Sequence, residues 1–284
     1  MTNNALEIKN LNGGIGKFSL CDINFSVEKG TIMGFIGKNG AGKTTLIKTM
    51  LNMLPNTGGE VLFQGIPMFG NEKIVKANIG VVFDSLIYPP NLTPTKIKNM
   101  ISPFYKTFDS KRFVELMNRF ELDPNETLSA YSKGMQMKFG VVIAVCHNPE
   151  LIILDEPTAG LDPVARADVL DLLLELMQEE ERSIMFSTHI TSDLEKIADY
   201  ITMIDNGKIV FTKGKDELLD FYALAHVDKE AMTDEIKAEL IGTKETVFGY
   251  EGLCIAKHKL QNMAGLKTVR PSIEDIMVHM GVKL

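Results

Sequence analysis

Residues 37–45 read Gly-Lys-Asn-Gly-Ala-Gly-Lys-Thr-Thr, the densest concentration of recognisable chemistry in the chain. Gly37, Lys38, Asn39, Gly40, Ala41, Gly42, Lys43, Thr44 and Thr45 fit the spacing G-x-x-x-x-G-K-[ST] of a loop that cradles phosphates. The glycines let the backbone close around an anion and turn its N–H groups inward, and a following helix adds the positive end of its dipole. Lys43 brings a mobile cation to the β- and γ-phosphates, and the Thr44 hydroxyl is suited to Mg²⁺. A second constellation closes the apolar run Leu-Ile-Ile-Leu at residues 151–154 with Asp155 and Glu156. Asp155 suits Mg²⁺, directly or through water, while Glu156 points elsewhere and suits a general base on the water that attacks a γ-phosphate. His189 follows Ser187-Thr188 at the end of another strand-like run, and its role depends on its neighbours.

Elements of a particular kind must hold these residues. The short apolar runs 31–36, 79–83, 151–154, 183–187 and 200–204 read as strands, and 23–27 alternates like a half-buried one. Residues 43–54, 134–147 and 163–180 read as helices, with Leu170, Leu173, Leu174 and Met177 on one face of the last. Helical pattern also fills 92–120, opened by Thr93 as cap and Pro94 in the first turn. Asn206-Gly207, between two apolar runs, is a hairpin signal. Strands alternating with helices predict an α/β fold with a mainly parallel sheet covered on both faces. Residues 1–213 are expected to form one domain, with a helical part over about 92–147. Beyond Gly214 the pattern weakens, and 214–284 reads as an accessory region whose segment 215–224 looks helical.

Composition narrows the function classes. With 284 residues, 30 Lys+Arg against 37 Asp+Glu and a formal charge of −7, the chain is a poor duplex coater, so no nucleic-acid partner is expected. Cys21, Cys146 and Cys254 are isolated, which argues against a disulfide framework or structural zinc and suits a reducing cytoplasm. The start MTNNALEIKN has neither the basic opening nor the apolar run of a signal peptide, and no run approaches a membrane span. His147, His226, His258 and His279 show no ligand spacing.

Taken together, the motifs resemble those of an ATP-binding cassette (ABC) transporter ATPase subunit, in that family's order over residues 5–212. Tyr131-Ser132-Lys133-Gly134-Met135-Gln136 matches the position of the family's LSGGQ signature, Ala159-Gly160-Leu161-Asp162 its D-loop, and His189 its switch histidine. The resemblance implies a P-loop NTPase fold with an antiparallel β subdomain and a helical signature subdomain. It implies ATP and Mg²⁺ as ligands, with two subunits (a homodimer or heterodimer) facing head to tail over two ATP molecules. Each ATP would lie on one subunit's phosphate loop and under the other's Ser132, Lys133, Gly134 and Met135, with Asp162 aligning the halves and His189 positioning the attacking water. The motion would drive a separately encoded membrane-spanning permease, placing the chain at the cytoplasmic face of the membrane. The ending Arg-Pro-Ser-Ile-Glu-Asp-Ile-Met and the Tyr-Ser-Lys-Gly-Met signature resemble ABC-2-type exporters of the bacitracin and antimicrobial-peptide kind. The alternative is a soluble ABC ATPase acting on ribosomes or assembly factors, which usually carries two cassettes and a basic linker.

Four positions depart from the family pattern, Met135 among them where Gln is usual. Asp84 stands where Gln is common, and either draws Mg²⁺ through water or repels the triphosphate until its loop moves. Lys133 replaces Gly, adding charge near a phosphate or remaining solvated. The adenine-stacking aromatic falls at Ile15, leaving Phe18 as substitute adenine surface or as a core residue of a β face.

Overall fold

The computed structural model describes residues 3–85, 87–179, 182–256 and 265–281, so His258 and Glu180 lie outside the described residues. The chain opens with a long hairpin, β1 (Asn4–Ile15) and β2 (Phe18–Glu28), and then enters the all-buried β3 (Ile32–Ile36). The phosphate loop leads from β3 into α1 (Lys43–Met50). Next come β4 (Asn56–Phe63), β5 (Ile66–Pro67), α2 (Glu72–Ala77) and β6 (Ile79–Val82). A helical stretch follows: α3 (Pro94–Ile101), α4 (Ser110–Arg119) and α5 (Lys133–Val145). The chain then returns through β7 (Leu151–Asp155), α6 (Pro163–Glu179), β8 (Ser183–Thr188), α7 (Thr191–Ile197), β9 (Tyr200–Asp205) and β10 (Lys208–Gly214). Its last part is α8 (Lys215–Phe221), β11 (Tyr222–Asp228), α9 (Asp234–Glu239), β12 (Ile241–Glu245), β13 (Gly249–Ile255), β14 (Leu266–Val269) and α10 (Ile273–Met280).

Among the described residues these strands form three sheets. The central one has the order β10-β9-β3-β8-β7-β6, parallel throughout except for the β9–β10 hairpin. Its strands are apolar runs because helices cover both faces. Since β3, β7 and β8 are neighbours, their C-terminal ends bring the phosphate loop, Asp155-Glu156 and His189 to one edge. An antiparallel sheet, β2-β1-β4-β5, packs beside it, and a second antiparallel sheet, β12-β13-β11-β14, is built wholly from residues after Gly214.

Local chemistry explains where the elements stop. The Thr93 hydroxyl accepts from the Lys96 N–H, with Pro94 at the first helical position, as the sequence predicts. α1 ends at Met50, short of the expected Leu54, because Asn52 turns left-handed (φ 53°) and the Met53 and Leu54 N–H groups fold back onto the Lys48 carbonyl. The expected helix over 92–120 is broken by Pro103 in a short 3-10 turn. The expected helix over 215–224 ends at Phe221, because 222–228 is claimed by strand pairing on both sides, with β13 and with β14. On α6, Leu174 is 38% exposed and Leu172 is buried in its stead, so the inward stripe is Val169, Leu170, Leu172, Leu173 and Leu176. The Asn206-Gly207 hairpin turn forms with both residues at positive φ (46° and 73°). No helix among the described residues is long and apolar enough to cross a membrane.

Leu173 is fully buried in the core shared by the parallel sheet and the helices. Leu173→Ala should lower unfolding free energy by about 2–5 kcal/mol, read as a reduced urea midpoint with an unchanged slope.

Candidate active site

The Lys43 side chain is the centre of the site. Only 6% exposed, it donates to the Gly37 carbonyl at 2.8 Å and lies 3.1 Å from Glu156 Oε1. The other Glu156 oxygen meets His189 Nδ1 at 2.7 Å and the His189 N–H at 3.3 Å. One carboxylate therefore joins the phosphate loop to the residue after β8. Glu156 sits in the left-handed region (φ 52°), a conformation that turns its side chain away from that of Asp155 and costs about 1–3 kcal/mol.

Below this layer, Asp155 is fully buried and takes two hydroxyl donors, Thr44 Oγ1 at 2.6 Å and Ser187 Oγ at 2.5 Å. Ser187 also accepts from the Glu156 N–H at 3.1 Å, so it holds both acids. Nothing in the sequence motifs singles out Ser187; only the adjacency of β7 and β8 shows what it does. A second unforeseen group is Asp193, buried on α7, which accepts from Thr158 Oγ1 and from Arg166 Nε, each at 2.6 Å. It ties the segment after Glu156 to the helix behind His189.

The donors around Thr44 and Asp155 fit Mg²⁺, a hard cation usually held by one or two carboxylates, waters and substrate phosphates. No cluster of three or more His, Cys, Asp or Glu that could cage a metal occurs among the described residues.

These groups border a cleft of about 380 Å³, whose walls include Lys38, Asn39, Gly40, Thr45, Asp84 and Lys133. Gly42 has φ 112°, and a Cβ there would lie 2.7 Å from the Phe18 ring, so ring and loop are packed against each other. Phe18 is in contact with the core beneath the antiparallel sheet, while Ile15, at the hairpin end, is exposed. Ala41 is buried, and its carbonyl accepts from the Gly207 N–H of the β9–β10 turn.

The signature segment starts a helix. Ser132 caps α5, accepting from the Met135 N–H at 3.2 Å, and Gly134 lets α5 approach Ala165 of α6. Gln136 turns inward to the Leu128 and Tyr131 carbonyls. Lys133 reaches past Gly160, into the cleft of its own chain. Asp162 caps α6 through the Val164 and Ala165 N–H groups, and the bond from Ala165 is the main cause holding its carboxyl below the ordinary range.

Comparison with known proteins agrees with this geometry. The family model described as "ABC transporter" matches residues 20–159. The ABC transporter ATP-binding protein YtrB of Bacillus subtilis is 30% identical over 218 residues, 76% of this chain and 74% of that protein. The chain belongs to the ABC transporter ATP-binding proteins. It is 33% identical to the bacitracin transport ATP-binding protein BcrA of Bacillus licheniformis, over 68% of this chain and 63% of that relative. A solved ATP-binding subunit of an ABC transporter superposes with a TM-score of 0.69 at 27% identity, over 75% of this chain and 91% of that one. As a member of this ATPase family, the chain binds ATP with Mg²⁺.

Gly42→Ala should weaken ATP binding at least about tenfold in calorimetry, since both φ and the Phe18 ring oppose a methyl group there.

Proposed function

We propose that this chain is the ATP-hydrolysing subunit of an ABC exporter, acting as a head-to-tail dimer at the cytoplasmic face of a membrane beneath a separate membrane-spanning subunit. The observation that carries the reading is the Lys43–Glu156–His189 chain of contacts beside the Thr44–Asp155 pair. A triphosphate entering the loop offers Lys43 several negative charges, more than one carboxylate can, so Lys43 turns to the β- and γ-phosphates. Glu156 is thereby released to take the proton of a water whose oxygen attacks the γ-phosphorus, and ADP leaves. His189, held by Glu156, orients that water. Thr44 and Asp155 hold Mg²⁺, which neutralises charge on the phosphate oxygens when bound. Ser132, Gly134 and Met135 serve the ATP of the partner subunit and Asp162 aligns the halves, while Lys133, which lines the cleft of its own chain, adds positive charge there.

A groove of about 480 Å³ supports the membrane partner. Phe83, Ile87, Tyr88 and Phe104 line it, and Phe104 is 83% exposed. Phe83 lines the groove while the next residue, Asp84, lines the nucleotide cleft, so one loop reports on both. The transported substrate is of the peptide or drug class, by likeness to the relative named for bacitracin transport.

Glu156→Gln should retain ATP, slow hydrolysis about 10²–10⁴-fold and trap an ATP-dependent dimer visible by light scattering. A fully active or strictly monomeric variant at saturating Mg-ATP would overturn the assignment. Lys43→Ala should abolish tight ATP binding in calorimetry. For Asp84, repulsion of the triphosphate predicts that Asp84→Asn raises the basal ATPase rate of the isolated subunit. A lower rate with a higher Mg²⁺ requirement would assign it to the metal's water instead.

A further inference from the structure

The C-terminal helix reaches the nucleotide cleft. The Lys38 ammonium, from the second residue of the phosphate loop, donates to the Gly281 carbonyl at 2.8 Å. The approach is close, since a Cβ on Gly281 would lie 2.9 Å from both Lys38 Cε and Nζ. The acceptor suits the donor: the last carbonyls of a helix carry partial negative charge, and Gly281 follows directly on α10.

α10 is itself fixed at both ends. Ser272 and Asp275 form a capping box at its start, and the Ile273 N–H donates to Glu195 of α7 at 3.1 Å. Near its far end His279, 1% exposed, meets the Gly242 carbonyl at 2.7 Å, which anchors α10 to the C-terminal sheet. One helix thus connects that sheet to the phosphate loop and to α7, which begins two residues after His189.

Lys38 also lines the cleft, where a triphosphate would compete for its ammonium. The Gly281 carbonyl offers the ammonium only a partial negative charge, whereas the triphosphate offers full ones, so the phosphates attract it more strongly. We infer that the Lys38 side chain is a nucleotide-contacting group held in reserve by the C-terminal helix, and that ATP takes Lys38 from Gly281 and loosens α10. The inference rests on the ATP-binding reading above. It gives residues 214–281 a task, that of answering to nucleotide occupancy. Linkage then requires the converse: with its C-terminal anchor weakened, the loop binds nucleotide more tightly.

The test uses the full chain, the non-hydrolysable analogue adenylyl imidodiphosphate with Mg²⁺, and hydrogen exchange of backbone amides. In the wild type, amides of 274–281 should exchange at least about fivefold faster with the analogue bound. Lys38→Met should make them fast with or without it. Asp275→Ala, which removes the capping box far from the cleft, should tighten analogue binding about two- to fivefold in calorimetry. If the analogue binds while exchange over 274–281 stays unchanged, if Lys38→Met leaves those amides slow, or if Asp275→Ala leaves affinity unaltered, the inference is overturned and the ATP-binding reading stands. If the wild type fails to bind the analogue, both fall.

Discussion

A lysine ammonium withdrawn from water needs negative charge close by, and much of this site follows from how Lys43 is supplied with it. The loop bends so that the Gly37 carbonyl faces the ammonium, and β7 delivers the Glu156 carboxylate to the other side. Carrying Glu156 to that place requires a left-handed backbone immediately after a buried strand. Ser187 on the neighbouring strand holds the turn through the Glu156 N–H, and its hydroxyl secures Asp155 beneath. The parallel register of β7 and β8, in which Asp155 lies opposite Ser187, is therefore a condition for charge balance at the phosphate loop.

The same carboxylate makes the site responsive. It shares its two oxygens between a cation on one element and an imidazole on another, so a change at either reaches the other without any long relay. Asp193 extends the connection through Thr158 and Arg166 to α6, whose first turn Asp162 caps. On the opposite wall, the loop after β6 turns Phe83 into an apolar groove and Asp84 into the polar cleft. Two cavities of different chemistry share consecutive residues. Motion in one backbone segment is felt in both.

Contiguous motifs were the legible part of this molecule. Residues 37–45 and the pair Asp155-Glu156 announce themselves by type and spacing, His189 gains its role only from the company of the other motifs, and alternating strand and helix patterns predict the sheet edge where they meet. Thr93-Pro94 and Asn206-Gly207 were legible for the same reason: the chemistry of a cap or a turn is complete within a few residues. Ser187, Asp193 and the contact of Lys38 with Gly281 were illegible because the partners are far apart in the chain, across strand neighbours or beyond residue 270. The C-terminal sheet was missed because residues 222–224 read as the end of the helix expected over 215–224 until the two antiparallel partners of 222–228, both later in the chain, are known. Leu174 faces outward because the helix stripe is set by its contact with the sheet, and two adjacent leucines cannot reveal which of them that contact selects.

The turn at Asn206-Gly207 has the look of a place where a chain could be lengthened at little cost, a two-residue loop of favourable type. Its surroundings say otherwise. The Gly207 N–H supports the Ala41 carbonyl at 3.0 Å, its own carbonyl receives the Cys21 N–H at 2.9 Å, and a Cβ at Gly207 would stand 2.1 Å from the Ser19 carbonyl oxygen. The last hairpin of the parallel sheet is thus wedged between the opening hairpin and the back of the phosphate loop. An inserted peptide or affinity tag at this point would pry the phosphate loop from behind.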